Sequence, residues 1–237
     1  MLSFTPQDVN LSIPCYIKNT SCCWEQILNI GRKEKYPKGA TFFESSYGQN
    51  RFFYVKSGLL CTINENDHEK IHFFFDSGSL LRETIFLSNY TLPQNYYYYC
   101  IKNLIIYSFD GALLLDRHFY ANYPELIMNC MFSISIKSLM SQLFSNIISL
   151  KSKEAQVAFY IDHMFRSAHE RAMFIPPINQ SQLASLLGLH KNTVSRIINN
   201  LKKKRLLGCY TKTRLEILDV EGIRRLYPSS LGEIFPF

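Results

Sequence analysis

What this chain lacks narrows it first. Its 237 residues contain no run of about 20 apolar residues, the length a helix needs to cross a bilayer. The stretch Leu104 to Leu115 comes near and is broken by Ser108, Asp110 and Gly111. The opening MLSFTPQDVN has neither a basic leader nor a continuous apolar core, so no secretory signal is expected. The seven cysteines are odd in number and follow no framework spacing, which fits reduced thiols in a cytoplasmic protein. The histidines form no metal set. His68 and His72 stand four apart across an expected hairpin and strand, where lone histidines are usually structural.

Acidic residues are scarce at one end. Up to Ser149 there are 12 Lys and Arg against 12 Asp and Glu, whereas Leu150 to Phe237 holds 14 against 7. The whole excess of +7 therefore sits on the last third of the chain. A neutral body with a basic terminal domain implies that only that domain meets a polyanion.

From Lys38 to Ser108 the texture is short and β-like: ATFFES, RFFYVKS, LLCTI, KIHFFF, YYYYCI and LIIYSF are strand-length and rich in aromatic and β-branched residues. Gly39, Gly48, Gly58 and Gly78 punctuate them where turns need positive φ, and NENDHE reads as a hairpin tip. Six or more such strands predict a sandwich or jelly roll. Before them only a short helix around Trp24 to Ile30 is expected, and residues 1–35 carry no readable function.

After Ser108 the pattern becomes helical, with two short pieces in FDGALLLDRHFYANYPEL and Pro124 placed for the first turn of the next helix. From Glu125 to Leu150 there is neither Gly nor Pro, so a helix of about 25 residues is predicted. Phe132, Ile136, Leu139, Leu143, Ile147 and Leu150 form one stripe. A neighbouring ridge runs through Met131, Ile134, Ser138, Ser141, Ser145 and Ile148. A helix apolar on two sides needs two partners, and the strand domain and a second copy of the same helix are the natural pair. A shorter amphipathic helix follows at Lys153 to Ala168, ended by FIPPIN.

INQSQLASLLGLHKNTVSRIINNLKKKRLL has the layout of a helix-turn-helix. Asn179 is placed as N-cap. Leu183, Ala184 and Leu187 are the buried residues of the first helix, Gly188 is the left-handed turn residue and Leu189 the plug. The second helix starts near His190 and should bury Val194, Ile197, Ile198 and Leu201. His190, Lys191, Asn192, Ser195, Arg196 and Asn199 then face outward, a set that fits the major groove. Lys202, Lys203, Lys204 and Arg205 suit phosphates. Downstream, LLGCYTKTRLEILDVEGIRRLY reads as strand, basic turn, strand and a helix from Asp219, a wing whose Lys212 and Arg214 reach the backbone. Structural helix pairs share this geometry, and a basic run is commonly a solvated face; the wing and the segregated charge favour DNA.

With these residues in place the chain from Tyr36 to Tyr227 resembles the Crp/Fnr family of bacterial transcription regulators, the cyclic-AMP receptor and fumarate-nitrate regulator type. YPKGATFFESSYGQNRFFYVKSGLLCTI looks like the start of that family's β-roll, and DSGSLLRETIFL like its phosphate-cassette turn. LLLDRHFYANYPEL looks like the approach to its long helix, GLHKNTVSRIINNL like its recognition helix and LEILDVEGIRRL like its wing exit. The resemblance implies an α+β chain with an N-terminal jelly roll of the cyclic-nucleotide-binding kind, a long dimerisation helix and a C-terminal winged helix-turn-helix. The expected divisions are 1–35, 36–123, 124–150 and 151–237. It implies a homodimer on two-fold symmetric double-stranded DNA, with RNA polymerase as a further partner, and an effector in the roll. No membrane partner, enzymatic activity or resident cofactor is expected.

The departures from the family bear on the effector. Cyclic-nucleotide binders read Gly-Glu-Leu at the turn and Arg-Ser about ten residues later; here the Gly position is Arg82, only Glu83 remains, and LPQNYYYY supplies no Arg-Ser. A cyclic phosphate would lose its main counter-charge. Arg82 can instead pair a carboxylate on another ligand, or be an ordinary exposed turn residue. The YYYY run alternates faces, so two of its residues point inward. Tyr97 and Tyr99 with Phe73, Phe75, Ser138 and Ser141 are expected to line an aromatic cavity for a small flat molecule; a filled aromatic core without ligand is the alternative. Some members of the family sense halogenated phenols, with which this composition is compatible. A ligand there would act by shifting the relative pose of the two DNA-binding domains through a hinge near Leu150 to Lys153.

Cys15, Cys22 and Cys23, with Cys100 and Cys130, leave a thiol-based or iron–sulfur redox sensor as the competing switch, although an adjacent pair is a poor cluster spacing. A cupin-type metal enzyme shares the β-roll but needs a His-x-His pair, which is absent. Asn192 stands where many members have Glu, which predicts a half-site shifted toward A·T at that pair; Ser195 and Arg196 match the family's usual Ser-Arg.

Overall fold

The computed structural model describes residues 9–10, 13–19, 22–43, 50–64, 70–83 and 96–232. All but the first residue of the expected hairpin tip NENDHE, the turn at Gly48 and most of the cassette turn beyond Glu83 lie outside them. Strands β1 (Val9–Asn10) and β2 (Tyr16–Asn19) lead to a 3-10 helix, Cys23–Ile30. Then come β3 (Arg32–Tyr36), β4 (Thr41–Phe43), β5 (Arg51–Ser57), β6 (Leu59–Asn64), β7 (Lys70–Asp76), β8 (Leu80–Leu81), β9 (Tyr96–Cys100) and β10 (Leu104–Asp110). A 3-10 turn at Gly111–Leu115 precedes α1 (Arg117–Asn122) and the long helix α2 (Pro124–Ile148). The rest comprises α3 (Lys153–Ser167), β11 (Met173–Phe174), α4 (Gln180–Leu187), α5 (Lys191–Lys203), β12 (Leu207–Tyr210), β13 (Leu215–Ile217), α6 (Val220–Arg224) and α7 (Ser229–Gly232).

The first compact unit comprises Met1–Leu11 and Cys15–Met140. Two sheets build it, ordered β1-β2-β7-β6-β9-β4 and β3-β10-β5-β8 among the described residues. Between them lies an apolar core including Phe42, Phe53, Val55, Leu60, Phe75, Tyr98 and Ile106. The four-stranded sheet is buried on its other face too, where Trp24, Ile27, Phe52, Tyr54, Phe109 and Leu114 pack with Leu126 and Cys130 of α2. That explains RFFYV: a strand covered on both faces needs no polar alternation. Trp24 sits edge-on to Phe52 at 5.3 Å, and its indole N–H donates to Asn129 Oδ1 at 2.9 Å. An indole buried this completely would otherwise leave its donor unpaired. The expected division at residue 35 falls inside β3, and Trp24 before it belongs to this core. At Gly58, with φ 108, a Cβ would meet the Asn103 carbonyl at 2.3 Å, so the turn from β5 to β6 admits only glycine.

The second compact unit comprises Ser12–Pro14 and Ser141–Phe237, so the division between units falls within α2 and not at its ends. Here Ser152 caps α3, its Oγ accepting from the Ala155 amide at 3.2 Å. The buried Gln156 amide donates to the carbonyls of Ile148 and Leu150, at 3.1 and 2.9 Å, and so satisfies the end of α2. Asp162, fully buried on α3, is bonded by Arg166 (2.8 Å), Arg224 (3.0 Å) and the Tyr227 hydroxyl (2.7 Å), which ties α3 to α6. A third strand, β11, hidden by the breaker FIPPIN, joins β13 and β12.

By length and mean hydropathy α2 reaches the measure of a membrane-crossing helix. Yet Ser135, Ser138, Ser141, Gln142 and Ser145 are all exposed on it, and it carries a salt-bridged lysine.

Candidate nucleic-acid interface

The helix-turn-helix is assembled by its caps. Asn179 accepts from the amides of Ser181 (2.9 Å) and Gln182 (3.1 Å), while the Gln182 side chain accepts the Asn179 amide at 2.8 Å, a reciprocal capping box. Leu183, Ala184, Leu186 and Leu187 are buried. Gly188 closes α4 at φ 62, the left-handed conformation expected of it. His190 then caps α5, its Nδ1 accepting the Asn192 amide at 3.2 Å. Val194, Ile198 and Leu201 face the core, and Ile197, expected with them, is half-buried.

This leaves Lys191, Asn192, Ser195, Arg196 and Asn199 exposed on α5, as expected. His190 is exposed too, but one ring nitrogen is committed to the backbone. Lys202 is half-buried, whereas Lys203, Lys204 and Arg205 are exposed. An open groove of about 770 Å³ runs beside the helix, lined by residues that include Asn192, Ser195, Arg196, Asn199, Asn200 and Lys203. Among the described residues, its lining apart from Ile197 is polar or charged. Such a surface offers fixed donors and acceptors on one helix of a size the major groove accepts. Glu154 also lines it, a residue the sequence pattern does not reveal because it lies on α3.

The wing follows the expected order. The tip between β12 and β13 is held by Thr211, whose amide donates to the Arg214 carbonyl at 2.7 Å and whose Oγ1 accepts the Arg214 amide at 3.0 Å. Lys212 and Arg214 are exposed at the tip, with Arg214 bonded to Glu216 at 3.2 Å.

The expected effector residues are not brought together as a set. Cys100 is buried opposite Leu60, which places Tyr98 inward by strand alternation; Tyr99 points out and is 36% exposed. Tyr97 is half-buried, Phe75 is in the roll core and Phe73 packs against it. Ser138 and Ser141 are exposed, so they do not line the roll. The face of α2 that meets the roll carries Leu126, Cys130, Ser133 and Lys137, at steps of four, three and four. Arg82 is buried and adopts φ 68, a glycine-like conformation at the position where the resembled family has Gly, so it is not an ordinary exposed turn residue. Glu83 is fully buried and accepts from Ser133 Oγ (2.7 Å) and Lys137 Nζ.

Among the thiols, burial pushes Cys61 and Cys130 up to about 12 and Cys100 up to about 11, and raises Cys15 further. A thiol held protonated is a poor nucleophile and a poor metal ligand. Cys22 is exposed and Cys23 half-buried. Among the described residues no three His, Cys, Asp or Glu side chains converge on a point that would hold a metal ion.

Residues 155–226 match the family model of the Crp-like helix-turn-helix domain. No curated protein matches the chain in sequence. Solved structures do match in fold. CprK complexed with OCPA superposes with a TM-score of 0.73 at 14% identity, covering 91% of this chain and 97% of that one. A CooA mutant from Carboxydothermus hydrogenoformans gives 0.69 at 16%, over 84% and 89%. The c-di-GMP responsive global regulator CLP from Xanthomonas campestris gives 0.65 at 15%, over 83% and 98%.

Proposed function

We infer that this chain, which has the fold of the Crp/Fnr regulators and carries a Crp-like helix-turn-helix domain, is a homodimeric, sequence-specific, DNA-binding transcription regulator of the cytoplasm. Lys191, Asn192, Ser195, Arg196 and Asn199 read base edges. His190, Lys202, Lys212 and Arg214 serve the backbone. The observation that carries this is the exposed polar face of α5 on a helix whose opposite face is fully packed. A regulator so built binds a two-fold symmetric operator and meets RNA polymerase there. The outward side of α2, with Met128 and Met131 more than half exposed beside Leu139, supports pairing with a second copy.

The switch we assign to the roll is a small molecule other than a cyclic nucleotide. Arg82 stands where the resembled binders have Gly, and the Glu83 carboxylate is already engaged by Lys137 and Ser133. Phe73 and Phe75 remain its aromatic candidates, whereas Tyr97 leaves the set because alternation turns it to the same side of β9 as Tyr99. Tyr99, Ser138 and Ser141 leave the set because they face solvent. The test is selection from a random duplex library by the full chain, with and without small aromatics, in oxidising and reducing buffer. A recovered inverted repeat supports the reading; no enriched sequence under any condition contradicts it.

A further inference from the structure

We propose that Glu154 is an internal competitor for the DNA backbone: it occupies two hydrogen-bond donors at the end of the recognition helix and lowers the grip on any duplex. The proposal rests on the DNA-binding reading above. Glu154 lies in the first turn of α3, just after the Ser152 cap. Its Oε1 accepts from Asn200 Nδ2 at 3.0 Å and from Lys204 Nζ at 2.9 Å. Asn200 and Lys204 are four residues apart, so both donors stand on one edge of α5. Among the described residues lining the groove beside that helix, Glu154 is the one acid.

A stability role does not account for this arrangement. The lysine and glutamate side chains are 44% and 28% exposed, and pairs this wet contribute little to folding. Their effect on a polyanion is larger. A phosphate that approaches Lys204 must displace the carboxylate from it and is repelled by the same carboxylate. Each protomer thus loses one backbone contact, regardless of base sequence.

The experiment compares wild type, Glu154→Gln, Lys204→Gln and the double variant, all full-length, on a selected duplex and a scrambled one across a salt series. Glu154→Gln keeps the size and the acceptor oxygen but removes the charge. Its affinity should rise by roughly threefold to tenfold on both duplexes, with the slope of log K against log salt steeper by about 0.9 per protomer. Lys204→Gln added to Glu154→Gln should remove most of that gain. Equal thermal midpoints establish that fold is not what changed. Unchanged or weaker binding by Glu154→Gln overturns the proposal and makes Glu154 a residue that positions Lys204 for the phosphate, or a bystander. A gain on the selected duplex alone overturns it as well. Wild type that binds no duplex takes down the DNA-binding reading along with it, whereas wild type that binds while the variants match it sinks this inference alone.

Discussion

Lys137 of the long helix and Glu83, two residues beyond β8, form an ion pair in which the carboxylate is fully buried and the lysine nearly so. Lys137 Nζ also donates to the Leu80 carbonyl at 2.9 Å and lies over the Phe75 ring at 5.3 Å. One side chain therefore fastens the helix to the end of a strand and to the aromatic core of the roll.

Breaking that pair from one side strands a charge. Lys137→Met should destabilise the protein by about 3 kcal/mol, because the Glu83 carboxylate stays buried without its cation. Lys137→Met combined with Glu83→Gln should recover most of the loss. Urea unfolding of wild type and the two variants checks this, and a loss under about 1 kcal/mol in Lys137→Met alone would contradict it.

The buried thiols predict alkaline instability. Cys61, Cys100 and Cys130 are raised from 9.0 by burial, the first and last to about 12 and Cys100 to about 11. The folded chain then holds protons that the unfolded chain releases above pH 9. Stability is whole below that pH and falls as pH climbs toward 12, on the order of 1.4 kcal/mol per thiol per pH unit. The urea midpoint should drop clearly between pH 8 and 10.5; a flat profile would show the thiols to be solvated.

The outward face of α2 predicts association. Met131→Lys with Leu139→Glu places charge on residues that are 58% and 38% exposed in the single chain, so the fold should survive. The mass by light scattering should fall from two chains to one. A wild type already monomeric at micromolar concentration would refute the paired helix.

Asn192 predicts base preference. Asn pairs adenine through two bonds, whereas Glu accepts from cytosine. Asn192→Glu should therefore shift the selected site at one base pair per half-site. Identical sites for both proteins would remove Asn192 from the reading set.

Much of this was legible in the sequence because local rules and packing agreed. The capping signal at Asn179, the glycine at 188 and the wing between Leu207 and Ile217 are short-range features, and each appears where expected. The edge strand RKEKY was not legible, because its side chains are largely exposed and its partners lie 68 or more residues away in β10. The tyrosine run misled by one residue: alternation fixes that two point each way but not which two, and pairing of Cys100 with Leu60 decides it. On α2 the serines drew attention to the solvent side, while the lysine that marks the roll side reads as a surface residue until the buried Glu83 is known.

The central claim is that the exposed face of α5 reads base edges, and Arg196 is its most diagnostic member. Equilibrium binding of a selected duplex and a scrambled one, at one fixed salt concentration, should separate them by about a thousandfold or more for wild type. Arg196→Ala should lose about 1–3 kcal/mol on the selected duplex and little on the scrambled one. Equal affinity of wild type for both duplexes, or equal loss on both by Arg196→Ala, would contradict it.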